Sequence, residues 1–161
     1  MKEYNRTEAL KYAKEWAFKR NPKYYNFDPV GGDCTSFVSQ CIYAGAGVMN
    51  YNTYGWYYKN GNNKSASWSG VEYLHKFLVN NKQTGPYGRE AKLEELEKAD
   101  IIQLSFDGVT FGHTLIITDI IVRNGLKHIL IASHTDDSYN RNLLTYRYQG
   151  IRGIKIEGVR N

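Results

Sequence analysis

The sequence predicts an α+β fold in which N-terminal helices pack on a C-terminal antiparallel β-sheet. Three observations predict it. Apolar residues recur at spacings of three and four through the first half of the chain, β-branched runs fill the last third, and an Asn-Gly pair separates two of those runs. At 161 residues, 42% hydrophobic and 23% charged, with three prolines and no low-complexity tract, the chain reads as a single folded domain over 1–161.

The first element is an amphipathic helix. In NRTEALKYAKEWAFKR the stripe Ala9, Leu10, Ala13, Trp16, Ala17 has helical spacing, and Asn5 or Thr7 offers an N-cap. NPKYYNFDPVGGD breaks that pattern with prolines and glycines and delivers the chain to Cys34. A second helix follows, with Phe37, Val38, Cys41, Ile42 and Ala44 or Gly45 turned inward, and GAGVMN ends it. Residues 48–70 are polar and aromatic without period and read as a long loop, a kind of segment that is uncommon unless it carries function. Val71, Leu74, Phe77 and Leu78 mark a third helix, and a strand begins near Ile101. HTLIITDIIV and KHILIASH flank Asn124-Gly125 and read as a hairpin, with further strands in LLTYRYQ and GIRGIKIEGV.

Composition excludes several function classes. The net charge of +5 favours anionic surroundings, yet the basic residues are scattered, with no run of four and no aromatic RNA-binding signature, so nucleic acid is not an expected partner. Cys34 and Cys41, on one predicted helix, would have Cα atoms roughly 10 Å apart, too far for a disulfide. No cysteine zinc cluster, calcium loop or dinucleotide fingerprint is present, so no metal or cofactor is expected. No stretch is long and apolar enough for a membrane span, and the N-terminus lacks the plan of a signal peptide. That leaves the compartment open: cytoplasmic, or extracellular and wall-associated if an export signal has been trimmed.

The 14 tyrosines, 3 tryptophans and 6 phenylalanines exceed what packing alone needs, and Trp56, Tyr57 and Trp68 are candidates for the wall of a substrate cleft or for core residues. The candidate for chemistry is Cys34. The first turn of a helix stabilises a thiolate, and Gly31 and Gly32 permit a strained entry turn beside it. A thiolate needs a base. His75 lies in a helix and His128 opens a strand beside a turn, both read as exposed side chains, whereas His113 starts a core strand. Folding the hairpin about Asn124-Gly125 brings His113 opposite His134, Thr135 or Asp136. His134 is the favoured third group, with Asp136 and Asp119 as alternatives. Asp33 is expected to cap the helix through its carboxylate, with substrate orientation as its other reading.

These residues carry a resemblance. DCTSFVSQ, ADIIQL and GHTLIIT resemble motifs of the papain-like NlpC-type and CHAP-type cysteine amidohydrolases, and the whole chain resembles the bacterial putative amidase domain family through YNRTEALKYAKEWAFKRNPKYYNF, GGDCTSFVSQCIYAG, the GW and SW pairs and SHTDD. It departs at Ser36, where asparagine or glycine is expected, and at Ala99, where glycine usually precedes the strand aspartate. The resemblance implies a papain-like fold with Cys34 as nucleophile and His113 as base. It also implies a thioester mechanism on an amide or peptide bond, with peptidoglycan-like peptide as the substrate class. The oxyanion would rest on the Cys34 N–H and a second donor from Tyr25 or Asn26. A non-catalytic wall or glycan binding module and an acyl transferase remain as alternatives, and the native polypeptide has room for further domains.

Overall fold

The computed structural model describes residues Met1–Asn161. Helix α1 spans Arg6–Trp16 and begins at Asn5, whose side chain accepts from the Glu8 N–H at 3.1 Å, so Asn5 rather than Thr7 is the cap. Ala9, Ala13 and Ala17 form its buried stripe. Helix α2, Cys34–Ala46, is buried over nearly its whole length, with only Tyr43 and Ala44 half-exposed. A helix apolar on most sides must be wrapped by other elements, and α2 is the post around which the rest assembles. Gly45, not Ala44, is the inward residue. A Cβ there would lie 2.6 Å from the Tyr4 ring and 2.7 Å from the Asn5 carbonyl. Gly47, at φ 73°, closes the helix in the left-handed conformation.

The segment after α2 is more ordered than its composition suggests. It holds a short hairpin of β1 (Tyr58–Asn60) and β2 (Asn63–Lys64), the single turn α3 (Ala66–Ser69), and a bridge between Asn50 and Trp56. Helix α4, Val71–Asn80, follows with Leu74, Phe77 and Leu78 buried as its spacing predicts.

The sheet comprises β3 (Gly85–Ala91), β4 (Ile101–Ser105), β5 (His113–Arg123), β6 (Leu126–Ser133), β7 (Ser138–Asn142) and β8 (Gly150–Arg160), in the order β3-β8-β4-β5-β6-β7. All neighbours are antiparallel. The β5–β6 hairpin turns at Asn124 and Gly125, both at positive φ (54° and 76°), as a type I′ turn requires. One sheet face, with Ile101, Ile116, Ala132, Ile154 and Ile156, packs against the helices. The other face, with Ile102, Leu104, Leu115, Ile117 and Ile131, is covered by Leu96, Leu143 and Tyr146 from connecting segments.

One expectation is corrected: LLTYRYQ is not a strand but begins with a 3-10 turn over Leu143–Thr145. Edge strand β3 has no sequence signature, because Gly85, Pro86 and Gly88 disguise it. The chain ends meet: Lys2 and Val159 exchange two backbone hydrogen bonds, of 2.8 and 3.0 Å.

Candidate active site

Cys34 is the first residue of α2 and is only just buried, at 8% exposure. The turn before it runs through Gly31 and Gly32 at φ 93° and 107°, conformations that glycine adopts without strain. Asp33 occupies the N-cap position but does not cap. Its carboxylate turns back into the preceding loop, where Oδ1 accepts the Phe27 N–H at 2.9 Å and Oδ2 accepts Nδ1–H of His134 at 2.6 Å. The first-turn N–H groups beside Cys34 therefore have no side-chain acceptor.

A chain of buried polar groups fixes this helix mouth on the sheet. The hydroxyls of Thr35 and Thr114 are 2.8 Å apart. Gln103 donates to Thr114 at 3.3 Å and to the Val71 carbonyl at 3.0 Å, and Arg152 donates to Gln103 at 2.8 Å. The residues that follow Cys34 and His113 are thus in direct contact, which brings the nucleophile candidate and the base candidate to one end of the α2–β5 junction.

The side chains of Cys34 and His113 share no hydrogen bond in this resting structure. The His113 ring packs on Phe106, with centroids 4.3 Å apart, and its Nδ1 lies 3.2 Å from Thr135 Oγ1. Partial burial lowers its pKa below the ordinary histidine value, with the Asp136 carboxylate opposing the shift. Nε2 of His113 has no protein partner.

His134 does not take the position expected of it. One residue of β5, Thr118, is bulged out between Ile117 and Asp119, and beyond it Ile117 pairs with Ile131 and Ile116 with Ala132. Continued to the strand end, this register sets His113 opposite Thr135. His134 points to the helix side, stacked on Phe37 with centroids 4.0 Å apart, and both of its nitrogens are engaged, Nδ1 by Asp33 and Nε2 by the Trp16 carbonyl at 2.7 Å. Asp119 is also remote from the base, bonding its own strand at Ile120 N–H and facing Lys98.

The remaining candidates separate likewise. Trp56 and Trp68 are fully buried, packed against each other in a tilted arrangement with centroids 5.0 Å apart, and joined to α2 through Ser39, which accepts from Trp56 Nε1 and donates to the Trp68 carbonyl. They are core residues, not a cleft wall. Tyr25 spends its backbone N–H on the Tyr58 hydroxyl, while Asn26 folds Oδ1 onto the Asp28 N–H and leaves its Nδ2 uncommitted. His75 is held by Glu90 and His128 by Asn142. Cys41 is wholly buried, which pushes its thiol well above the usual range. No group of three His, Cys, Asp or Glu is placed to hold a metal, and no helix is long and apolar enough to cross a membrane. A groove of about 720 Å³ lies elsewhere, between Tyr54 and the α4 residues Tyr73, Lys76 and Asn80.

A family model described as "Putative amidase domain" matches residues 3–157. The chain belongs to this amidase-domain family. It is also 35% identical over 119 residues to a protein of Bacillus subtilis (strain 168) described as "Uncharacterized protein YhbB", an alignment that covers 71% of this chain and 37% of that protein. The chain thus spans little more than a third of that relative's length. No solved structure matches it. Family membership points to amide hydrolysis. It also frames one departure: Ala99 stands where the resemblance expects glycine, and it is buried at φ 71°, a left-handed conformation that explains why glycine suits the position.

Proposed function

We propose that this protein is a cysteine-dependent amidase or peptidase of papain-like type, acting on an amide bond in a peptide, with bacterial cell-wall peptide as the substrate class. The observation that carries the reading is the 2.8 Å contact between Thr35 and Thr114, because it joins the backbones of Cys34 and His113 one residue beyond each. Among the four histidines, His113 alone stands at that junction with a ring nitrogen uncommitted.

The lowered pKa leaves the His113 ring neutral near pH 7, the form needed in a general base. A contact between Nε2 and Sγ requires the strand-end side chain to turn away from its packing on Phe106. Such hydrogen bonds are often formed only when substrate is bound. His113 takes the thiol proton as sulfur attacks the carbonyl carbon, and the oxyanion rests on the Cys34 N–H, with Asn26 Nδ2 the remaining candidate for a second donor. The C–N bond then breaks, His113 returns the proton to the departing amine, and a thioester is left. Water, deprotonated by the same ring, releases the acid and restores the thiol. Thr135 takes the place of the orienting third group, with Asp136 supplying negative charge nearby.

Iodoacetamide labelling near pH 6 tests the first step, with selective modification of Cys34 and none of Cys41 expected. Equal, slow labelling of both thiols would instead support a binding module. Digestion of purified peptidoglycan, read by mass spectrometry for new amines, tests the substrate class, with Cys34→Ser as control. Products carrying an exchanged amine acceptor would indicate an acyl transferase.

A further inference from the structure

We infer that His134 is a positioning residue that acts through Asp33, keeping the mouth of α2 open and charge-balanced for Cys34; the catalytic part of this rests on the reading of Cys34 as nucleophile. Both His134 nitrogens face groups that only accept, a carboxylate oxygen at 2.6 Å and a backbone carbonyl oxygen at 2.7 Å, so the ring satisfies both only when it carries a proton on each nitrogen. The His134 ring and the Asp33 carboxyl group form a buried pair, with side chains 1% and 2% exposed.

Asp33 stands one residue before the sulfur and at the N-cap position, where aspartate normally folds over the free N–H groups of the first turn. Here it is drawn the other way by His134 and by the Phe27 N–H. That leaves the first-turn donors available to a developing oxyanion and keeps a carboxylate from leaning over the thiolate. The other charged group facing the pair is Arg20, whose Nε is 3.7 Å from Asp33 and whose guanidinium is chiefly engaged by Asp28 and Asp137. Arg20 therefore supplies little compensation of its own once the imidazolium is removed.

His134→Gln can bond only one of the two acceptors and carries no charge. The expected result is that Cys34 alkylation near pH 7 slows by about tenfold and its pH profile moves upward, while kcat falls and KM changes little. Asp33→Ala added to His134→Gln removes the carboxylate that would close the mouth, and alkylation of Cys34 should recover. A His134→Gln protein that loses thermal stability but keeps the wild-type alkylation profile overturns the inference, as does a double variant slower than the single one. Ring 15N shifts of the wild-type protein keep the question open to test if the variant does not fold: two protonated nitrogens on His134 support the arrangement, and one neutral tautomer overturns it. Alkylation needs no turnover, so the two readings fail separately. A Cys34→Ser protein that still hydrolyses substrate removes the nucleophile reading and leaves the alkylation result standing.

Discussion

The mouth of α2 and its middle are gripped in opposite ways. At the mouth, the contacts are polar and directional: Thr35 to Thr114, and Asp33 to Phe27 and His134. Along the middle, Trp56 and Trp68 press against the helix, with Ser39 satisfying one donor and one carbonyl between them. Packing supplies most of the stability of a domain, whereas a single thiol or hydroxyl contact at a helix start contributes about 1 kcal/mol net and chiefly fixes geometry. The two regions should therefore separate under mutation, one changing rate and the other changing stability.

The largest effect expected is at the mouth. Cys34→Ser and His113→Ala should each lower kcat/KM by at least about a thousandfold with little change in the unfolding midpoint, measured by turnover and by denaturant titration. Comparable loss of stability in either variant would break the separation. Next comes Trp68→Ala, which should cost about 3–5 kcal/mol in denaturant unfolding, through lost contacts and the cavity left behind. Its residual folded fraction should still label at Cys34.

Thr135→Val removes the partner of His113 Nδ1 and should reduce kcat by about tenfold, without the stability loss of the tryptophan variant. The smallest effect is a shift in a pH profile. Because the His113 pKa lies below the ordinary value, the acid limb of kcat/KM should fall below about pH 6.5, and activity is lost as pH drops through that lowered value. Asp136→Asn removes a charge that favours the protonated ring, so the limb should move further down. The same sign holds for stability: the unfolded chain binds this proton more readily, so the His113 contribution is complete above the ordinary value and is lost as pH falls.

What was legible in the sequence follows from the range of the forces involved. Helices α1, α2 and α4 and the β5–β6 hairpin announce themselves through local periodicity and turn chemistry, and the expected stripes are buried except at Leu10, Trp16 and Val71, which are half-buried. Strand β3 did not, since an edge strand with two glycines and a proline has no alternation to read. Residues 48–70 read as a loop because their order comes from Trp56 and Trp68 reaching α2, a contact no local window contains. At the site, Cys34 and His113 stood out through their positions at the starts of elements. The pairing of Arg123 with Leu126 at the turn would set His113 opposite Asp136, and the bulge at Thr118, which no local pattern marks, moves it to Thr135; neither register places His134 there. Asp33 was read as a cap because its position is that of a cap, and only the folded chain brings the competing histidine to it.

The Lys2–Val159 bridge joins the first and last segments of the described fold in a single seam. A few added residues would close that seam into a ring, and the ring could be reopened at Asn124-Gly125, which lies at a solvent-facing tip far along the hairpin from His113. Such a rearranged gene product would preserve every pairing around Cys34 while moving β6, β7 and β8 ahead of the helices during synthesis, making this architecture suited to asking whether half of the sheet can form before the post it packs on.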